Sequence, residues 1–324
     1  MNQYPKVSVC MITYGHEKFI EEAIIGVLMQ VCDFEVELII ANDCSPDKTD
    51  EIIHKVIDSH PKSSWIRYIK HDKNLGMMPN FIFAMQECKG KYIALCEGDD
   101  YWTDPLKLQK QVDVLEANSD YVLCFHKVDI LKPIGEIVDD FITKVPENYQ
   151  TIGTLARLGN YIHTPSVVFR NIIKEFPFEF KQSPIGDYFL YMMLAEHGKL
   201  KYLKDKMAVY REGVGIWSVK SEYFKNFNTA YTHALLVSYN KSDNSASSLL
   251  LDRIITFLKA YENQIDIENL LQLNTCVRVN QCIYSYFLNK GKMEIKLIET
   301  IQMKTSKELL IEVWFRIKKR LWKK

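Results

Sequence analysis

Residues 7–43 read VSVCMITYGHEKFIEEAIIGVLMQVCDFEVELIIAND, and this stretch decides the fold. Val7–Ile12 is a short, β-branched apolar run, which predicts a strand. Across Glu17–Gln30, the residues Phe19, Ile20, Ala23, Ile24, Val27 and Leu28 recur at helical spacing. Val36–Ala41 (VELIIA) is apolar almost without a break, as a parallel strand buried on both faces has to be. Strand, helix and strand linked by short polar turns make a βαβ unit. Downstream the alternation continues. Lys48–Ile57 predicts a helix, Trp65–Lys70 a strand, Met78–Cys88 a helix, Tyr92–Cys96 a strand, Leu106–Ala117 a helix and Tyr121–Phe125 a strand. The expectation is an α/β fold, doubly wound around a mostly parallel sheet.

Beyond Lys132 the pattern loosens. Pro133–Asn148 has little period and reads as an exposed connection. Strand-like segments return at Ser166–Phe169 and Met207–Tyr210, around a helix at Asp187–Glu196 ended by Gly198. From Ser221 the chain reads mainly helical, including Ala246–Tyr261, Ile267–Leu288 and Ser306–Leu321. A boundary near residue 218 therefore separates a catalytic domain, 1–218, from a mainly helical C-terminal region, 219–324.

Composition narrows the function classes. The 324 residues hold 41 Lys+Arg and 41 Asp+Glu, a formal net charge of +0, which disfavours a general nucleic-acid binder. Of the eight cysteines none forms a CxxC pair and several lie in apolar runs, so buried thiols in a reducing cytosol are expected ahead of a zinc site. With no charged-then-apolar leader and no apolar run near the ~20 residues of a membrane span, a soluble cytoplasmic protein is expected.

In an open parallel sheet, ligands bind beyond the carboxyl ends of the strands. Four successive strands end here in polar clusters: Thr13-Tyr14-Gly15-His16, Asn42 to Asp47, His71 to Gly76, and Glu97-Gly98-Asp99-Asp100. No GxGxxG follows the first strand and no GxxxxGK[ST] occurs, so the glycine-rich phosphate cradle is absent. Glu97, Asp99 and Asp100 instead crowd three carboxylates into four residues. Two readings fit: a divalent-cation site bridging a diphosphate, or a solvated turn opening the helix at Asp104-Pro105.

The series VSVCMITYGHEKFIEEAI (7–24), ELIIANDCSPDKTDEII (37–53), HDKNLGMMPNFIFAM (71–85) and GKYIALCEGDDYWTDPLKLQKQV (90–112) resembles the nucleotide-sugar half of the inverting family 2 glycosyltransferases. Weaker likeness continues through HTPSVVFR (163–170), IGDYFLYMMLAEHGKL (185–200) and VYREGVGIWS (209–218). The resemblance implies a GT-A fold, with a nucleotide-sugar half at 1–130 and an acceptor half at 131–218. It implies that Thr13 and Tyr14 line the base and ribose pocket, and that Asp43 accepts a hydrogen bond from the base, most often uracil. Asn74 and Gly76 would shape a loop over the nucleotide, with Asn80 on the helix that follows. Asp99 and Asp100 match the DxD-type pair, in which the last carboxylate binds Mn²⁺ or Mg²⁺ and its neighbour touches ribose or metal. The family more often has Asp where Glu97 stands. Asp187 matches the base that deprotonates the acceptor hydroxyl, although Gly186 replaces the Glu often found before it; the other reading of Asp187 is a helix cap. His163 falls in the block placed under the acceptor site, a structural hydrogen-bond donor being its other reading, and Arg211 falls on the loop that folds over donor phosphate, where a surface ion pair is its alternative.

The implied reaction moves a sugar from a nucleotide-diphosphate sugar, UDP-linked by expectation, to a glycan or lipid-linked acceptor in surface-polysaccharide synthesis. Two alternatives stand beside it. A sugar-phosphate nucleotidyltransferase would want a Gly-rich, Arg/Lys-bearing first loop where this chain has Thr13-Tyr14-Gly15-His16. A non-catalytic nucleotide-sugar binder would be expected to lack the carboxylates. Residues 314–324 (WFRIKKRLWKK) are basic with interleaved Trp, Phe, Ile and Leu, which suits either an anionic membrane surface, placing the protein peripherally at the inner face of the plasma membrane, or a solvated helix end.

Overall fold

The computed structural model describes residues 5–146, 149–215, 220–240 and 244–261. The expected helices at 267–288 and 306–321, the basic segment 314–324, the boundary near 218 and two of the cysteines lie outside them. The first elements alternate as β1 (Val7–Thr13), α1 (Ile20–Leu28), β2 (Val36–Asn42), α2 (Thr49–Ser59), β3 (Ile66–Lys70), α3 (Met77–Glu87) and β4 (Tyr92–Leu95). There follow β5 (Tyr101–Trp102), α4 (Lys107–Ala117), β6 (Tyr121–Leu131), β7 (Ile137–Asp139), β8 (Tyr149–Gln150), α5 (Ile152–Leu158) and β9 (Val168–Arg170). The rest are α6 (Phe178–Gln182), α7 (Gly186–Ala195), β10 (Lys199–Arg211), α8 (Glu222–Tyr239) and α9 (Asn244–Ala260).

The ten strands form one sheet in the order β3-β2-β1-β4-β9-β6-β10-β5, with β7 on β6 and β8 on β10. β3, β2, β1 and β4 run parallel. β1 and β4 are buried almost throughout, which is what a central parallel strand covered by helices requires. β9 is antiparallel to both β4 and β6, and the long β6–β10 pair is parallel again. Pro133–Asn148 is therefore more than a connection: residues 137–139 return as β7 against β6. The chain moves outward from β1 to β2 and β3, then crosses back to β4 on the other flank of β1. That reversal opens a crevice at the carboxyl ends of β1 and β4, the place where such sheets bind ligands.

Two compact units divide the chain. One runs to Phe176 and resumes over Gly186–Lys220; the other combines Pro177–Ile185 with the chain from Ser221 onward. The first contains the whole sheet, and its core gathers Val7, Val9, Ile24, Val27, Leu38, Ile40, Leu108 and Val112. In the second, Ser221 Oγ caps α8 by accepting from Phe224 N (3.2 Å), and Tyr223, Phe227, Phe257 and Tyr261 stack between α8 and α9. Among the described residues no helix is long and apolar enough to cross a membrane. The six described cysteines are all free thiols, four of them buried.

Candidate active site

The turn after β1 is built for close approach. Its amides are taken up by the neighbouring β2–α2 loop: Gly15 N donates to Ser45 Oγ (3.0 Å), His16 N to Thr49 Oγ1 (2.9 Å) and Glu17 N to Asp47 Oδ2 (3.0 Å). Asp47 also accepts from Thr49 N (3.1 Å), a helix-start role. Across the crevice, Gly98 N donates to Ile12 O (3.0 Å). A Cβ on Gly98 would stand 2.7 Å from Thr13 Oγ1 and 2.8 Å from His16 Nδ1, so glycine alone lets the acidic turn meet the β1 turn. Thr13 is buried at this junction, while Tyr14 beside it is 40% exposed.

Asp43 clamps the loop after β3. Its own N–H donates to Thr13 O (3.0 Å), and its carboxylate accepts from Leu75 N (2.7 Å) and Gly76 N (2.9 Å). Gly76 holds φ +91°, a left-handed angle that only glycine takes at no steric cost. Asn74 is exposed on this loop. Asn80 is differently placed: its amide nitrogen donates to Ala41 O of β2 (3.0 Å) and its oxygen pairs with His71 Nε2 just after β3 (2.9 Å), so it braces α3 against both.

Glu97, Asp99 and Asp100 come together in the crevice. Burial, then Asp99 and Asp187, push the Glu97 carboxyl up to about 8. Burial and Asp99 also raise Asp100, one of whose oxygens accepts from Arg211 N (2.8 Å). Asp99 Oδ2 stands 4.0 Å from His16 Nε2, and burial lowers the His16 pKa although Asp99 opposes it. Asp99 Oδ1 is buried and has no hydrogen-bond partner. An orphaned carboxylate oxygen inside a carboxylate cluster suits a hard divalent cation, which takes one or two carboxylates and completes its shell with water and phosphate oxygens. Among the described residues no group of three or more His, Cys, Asp or Glu side chains is arranged to hold a metal ion.

Arg211 makes an ion pair, as its second reading had it, but from a buried position. Its guanidinium is buried, donates to the Asp99 carbonyl and to Glu22 Oε2, and lies 4.5 Å over the Tyr101 ring and 5.0 Å from the Phe19 ring. It fastens the end of β10 to the back of the acidic turn and is not on an open face toward donor phosphate. Trp102 is buried and donates from Nε1 to Pro165 O (2.9 Å).

Asp187 opens α7, where Asn160 Nδ2 donates to its Oδ2 (2.8 Å). Burial raises its carboxyl, opposed by that bond and by nearby backbone N–H groups. His163 is buried with its ring 4.8 Å from that of Tyr210. Its Nε2 lies 3.3 Å from Oδ1 of Asp140, a residue of the stretch 133–148 that reads as an exposed connection. Asp43, Asp99, Asp100 and the β1 turn thus surround one crevice, and Asp187 is near enough to act on Glu97; Asn80 and Arg211 stand behind it as braces.

Residues 8–176 match the model of glycosyl transferase family 2. The chain belongs to this family. An uncharacterized protein of Mycobacterium tuberculosis is 38% identical over 213 residues, covering 65% of this chain and 60% of that protein, so the chain spans less than two thirds of this relative. S. aureus TarS 1–349, solved with UDP-GlcNAc, superposes with a TM-score of 0.57 at 16% identity over 87% of this chain and 79% of that one. The mannosyltransferase PcManGT from Pyrobaculum calidifontis, in complex with GDP-Man and Mn²⁺, gives 0.56 at 14% identity, over 93% and 79%. At those identities the likeness establishes the fold, which is GT-A. The departure at Gly186 has a local reason: a Cβ there would lie 2.5 Å from Met78 Sδ, so the α3 thioether fills the space a longer residue would need.

Proposed function

We propose that this chain transfers a sugar from a nucleoside-diphosphate sugar to a hydroxyl of a glycan or lipid-linked acceptor, with inversion at the anomeric carbon. The observation that carries this reading is the buried, unpartnered Asp99 Oδ1 within a carboxylate cluster at the β1/β4 crevice. The bound nucleotide sugars of the two structural neighbours support the donor class, and the Mn²⁺ of one supports a cation. Thr13, Tyr14 and Asp43 hold the nucleoside, beneath the loop of Asn74 and Gly76. Mn²⁺ or Mg²⁺ held by Asp99 and Asp100 would offset the negative charge that gathers on the departing diphosphate. Asp187 takes the acceptor proton as that oxygen bonds to the anomeric carbon and the bond to the diphosphate breaks. A carboxyl raised by burial is better matched to this task near neutral pH than an ordinary one. His163 lies on the acceptor side. Surface-polysaccharide synthesis is the proposed setting, with the basic segment 314–324 meeting an anionic membrane surface.

The experiment incubates the full chain with UDP-GlcNAc, UDP-Glc, UDP-Gal and GDP-Man, with MnCl₂ or with excess EDTA. Release of nucleoside diphosphate from at least one donor is expected, and both EDTA and Asp99→Asn are expected to abolish it. Undiminished release in EDTA would remove the cation. Pyrophosphate release from a nucleoside triphosphate and a sugar phosphate would assign the site to nucleotidyl transfer instead.

A further inference from the structure

Asp140 follows β7 in a stretch that reads as connection, yet its side chain has 0% exposure, and that of His163 has 5%. Its Oδ1 accepts from Ile142 N (2.8 Å) and Thr143 N (3.0 Å), the hydrogen bonds of an ordinary Asx turn. Such a turn normally leaves its carboxylate in water; a shielded carboxylate needs a matching partner. His163 supplies one, with Nε2 at 3.3 Å from the same oxygen. Burial works to raise the Asp140 carboxyl, but the hydrogen bonds from His163 and Thr143 outweigh it and keep the group ionised. An ionised carboxylate only accepts, so His163 Nε2 must carry the hydrogen, leaving Nδ1 as the variable nitrogen. The imidazole is fixed on other sides as well. Its ring packs at 4.8 Å and 44° on Tyr210, and the His163 backbone beneath it is held by Ser166 Oγ, which donates to the main-chain carbonyl (2.7 Å). The same stretch of chain reaches Asp187: Asn160, on the segment leading into His163, donates from Nδ2 to Asp187 Oδ2 (2.8 Å), so the two groups lie on one side of the crevice.

We propose that Asp140 is a positioning residue that holds His163 in a single tautomer and ring orientation beside Asp187. The acceptor side of the crevice then depends on a carboxylate brought in by the β6–β7 hairpin. The logic is that of a histidine whose far nitrogen is held by a carboxylate so that its near nitrogen is presented correctly. As a role in catalysis, the proposal rests on the transferase reading above; the pairing itself does not.

The test uses the full chain with UDP-GlcNAc, UDP-Glc and GDP-Man as probes, MnCl₂ present and water as acceptor. Asp140→Asn is expected to lower kcat for donor hydrolysis by about tenfold or more while KM and calorimetric UDP or GDP affinity stay within about twofold. Asp140→Glu should restore part of the loss. In a His163→Gln background Asp140→Asn should cost less than about a further twofold, because the two residues act as one unit. Histidine ¹⁵N spectra of the unliganded protein should show His163 in the Nε2–H form, and a mixture of forms in Asp140→Asn. Additive losses in the double variant, unchanged kcat in Asp140→Asn, or an Nδ1–H tautomer in the parent would each overturn the proposal. The spectra need no turnover, so if no donor is hydrolysed the transferase reading falls while the pairing is still judged. If Asp140→Asn does not fold, Asp140→Glu and the parent spectra decide.

Discussion

The carboxylates of the crevice owe their differences to surroundings. Glu97 is pushed up to about 8 by burial and by the charges of Asp99 and Asp187, whereas Asp187 is raised chiefly by burial and restrained by Asn160. If Asp187 receives the acceptor proton, Asp187→Asn removes an interaction made in the transition state. It should lower kcat by about 100-fold or more with donor affinity held within a few-fold. Single-turnover kinetics with UDP calorimetry checks this, and a comparable loss of UDP binding would place Asp187 on the donor side. Asp43, Asp99, Asp100 and Asp187 were legible in the sequence because acidic residues at strand ends and helix starts are conspicuous against apolar runs. His16 belongs to the turn after β1, where nothing in its spacing singles it out. Its place beside Asp99 depends on how closely residues 97–100 approach across Gly98, a tertiary distance that spacing does not encode. For Arg211 the sequence announced a charge but not its direction, which the Phe19 and Tyr101 rings and Glu22 settle. Asp140 lay in a stretch without period, so nothing local marked it.

Among the elements, those buried on both faces were the most legible. β1, β2 and β4 are apolar with at most an isolated polar residue, Ser8 or Glu37, before their ends, and emerge within a residue or so of expectation. β10 was seen only at Met207–Tyr210, because its earlier half carries Lys199, Lys201, Lys204, Asp205 and Lys206. The two-residue strands β5 and β8 are too short to show a period. The segment 177–185, which groups with the second unit, breaks the simple division by sequence position. The loop after β3 has its own mechanical prediction. Leu75 N and Gly76 N are satisfied by the Asp43 carboxylate alone, so Asp43→Ala frees both amides. Faster hydrogen exchange at Leu75 and Gly76 is the expected result and, if Asp43 also meets the base as proposed, UDP affinity reduced about tenfold or more. Unchanged UDP affinity alongside faster exchange would make Asp43 a clamp and nothing else.

At the scale of the whole molecule, a buried lysine behind the site should govern how stability follows pH. Lys107 has 0% exposure; its Nζ donates to Gln111 Oε1 (2.8 Å) and lies 4.1 Å from the Trp102 ring. Burial lowers its pKa from 10.5 to about 7, with Cys96 and Cys124 pulling the other way. The folded state therefore binds fewer protons than the unfolded chain between those values, and stability rises with pH across that window. Below about 7 the cost of burying the cation is felt in full, roughly 5 kcal/mol at 1.36 kcal/mol per pKa unit, less the 1–2 kcal/mol an aromatic face returns to a cation. Glu97 has the opposite sign: raised from 4.5 to about 8, it makes stability fall as pH climbs through that range, so a single curve would mix the two. The difference between parent and Lys107→Met isolates the lysine. In urea unfolding followed by Trp fluorescence, Lys107→Met should gain on the parent at pH 6.5 and lose that advantage by pH 9.5. The expected swing is on the order of 2–3 kcal/mol, while the unpaired Gln111 carbonyl lowers the variant by about 1–3 kcal/mol at both values. Parallel curves for the two proteins across that range would mean that Lys107 stays protonated over the Trp102 ring throughout.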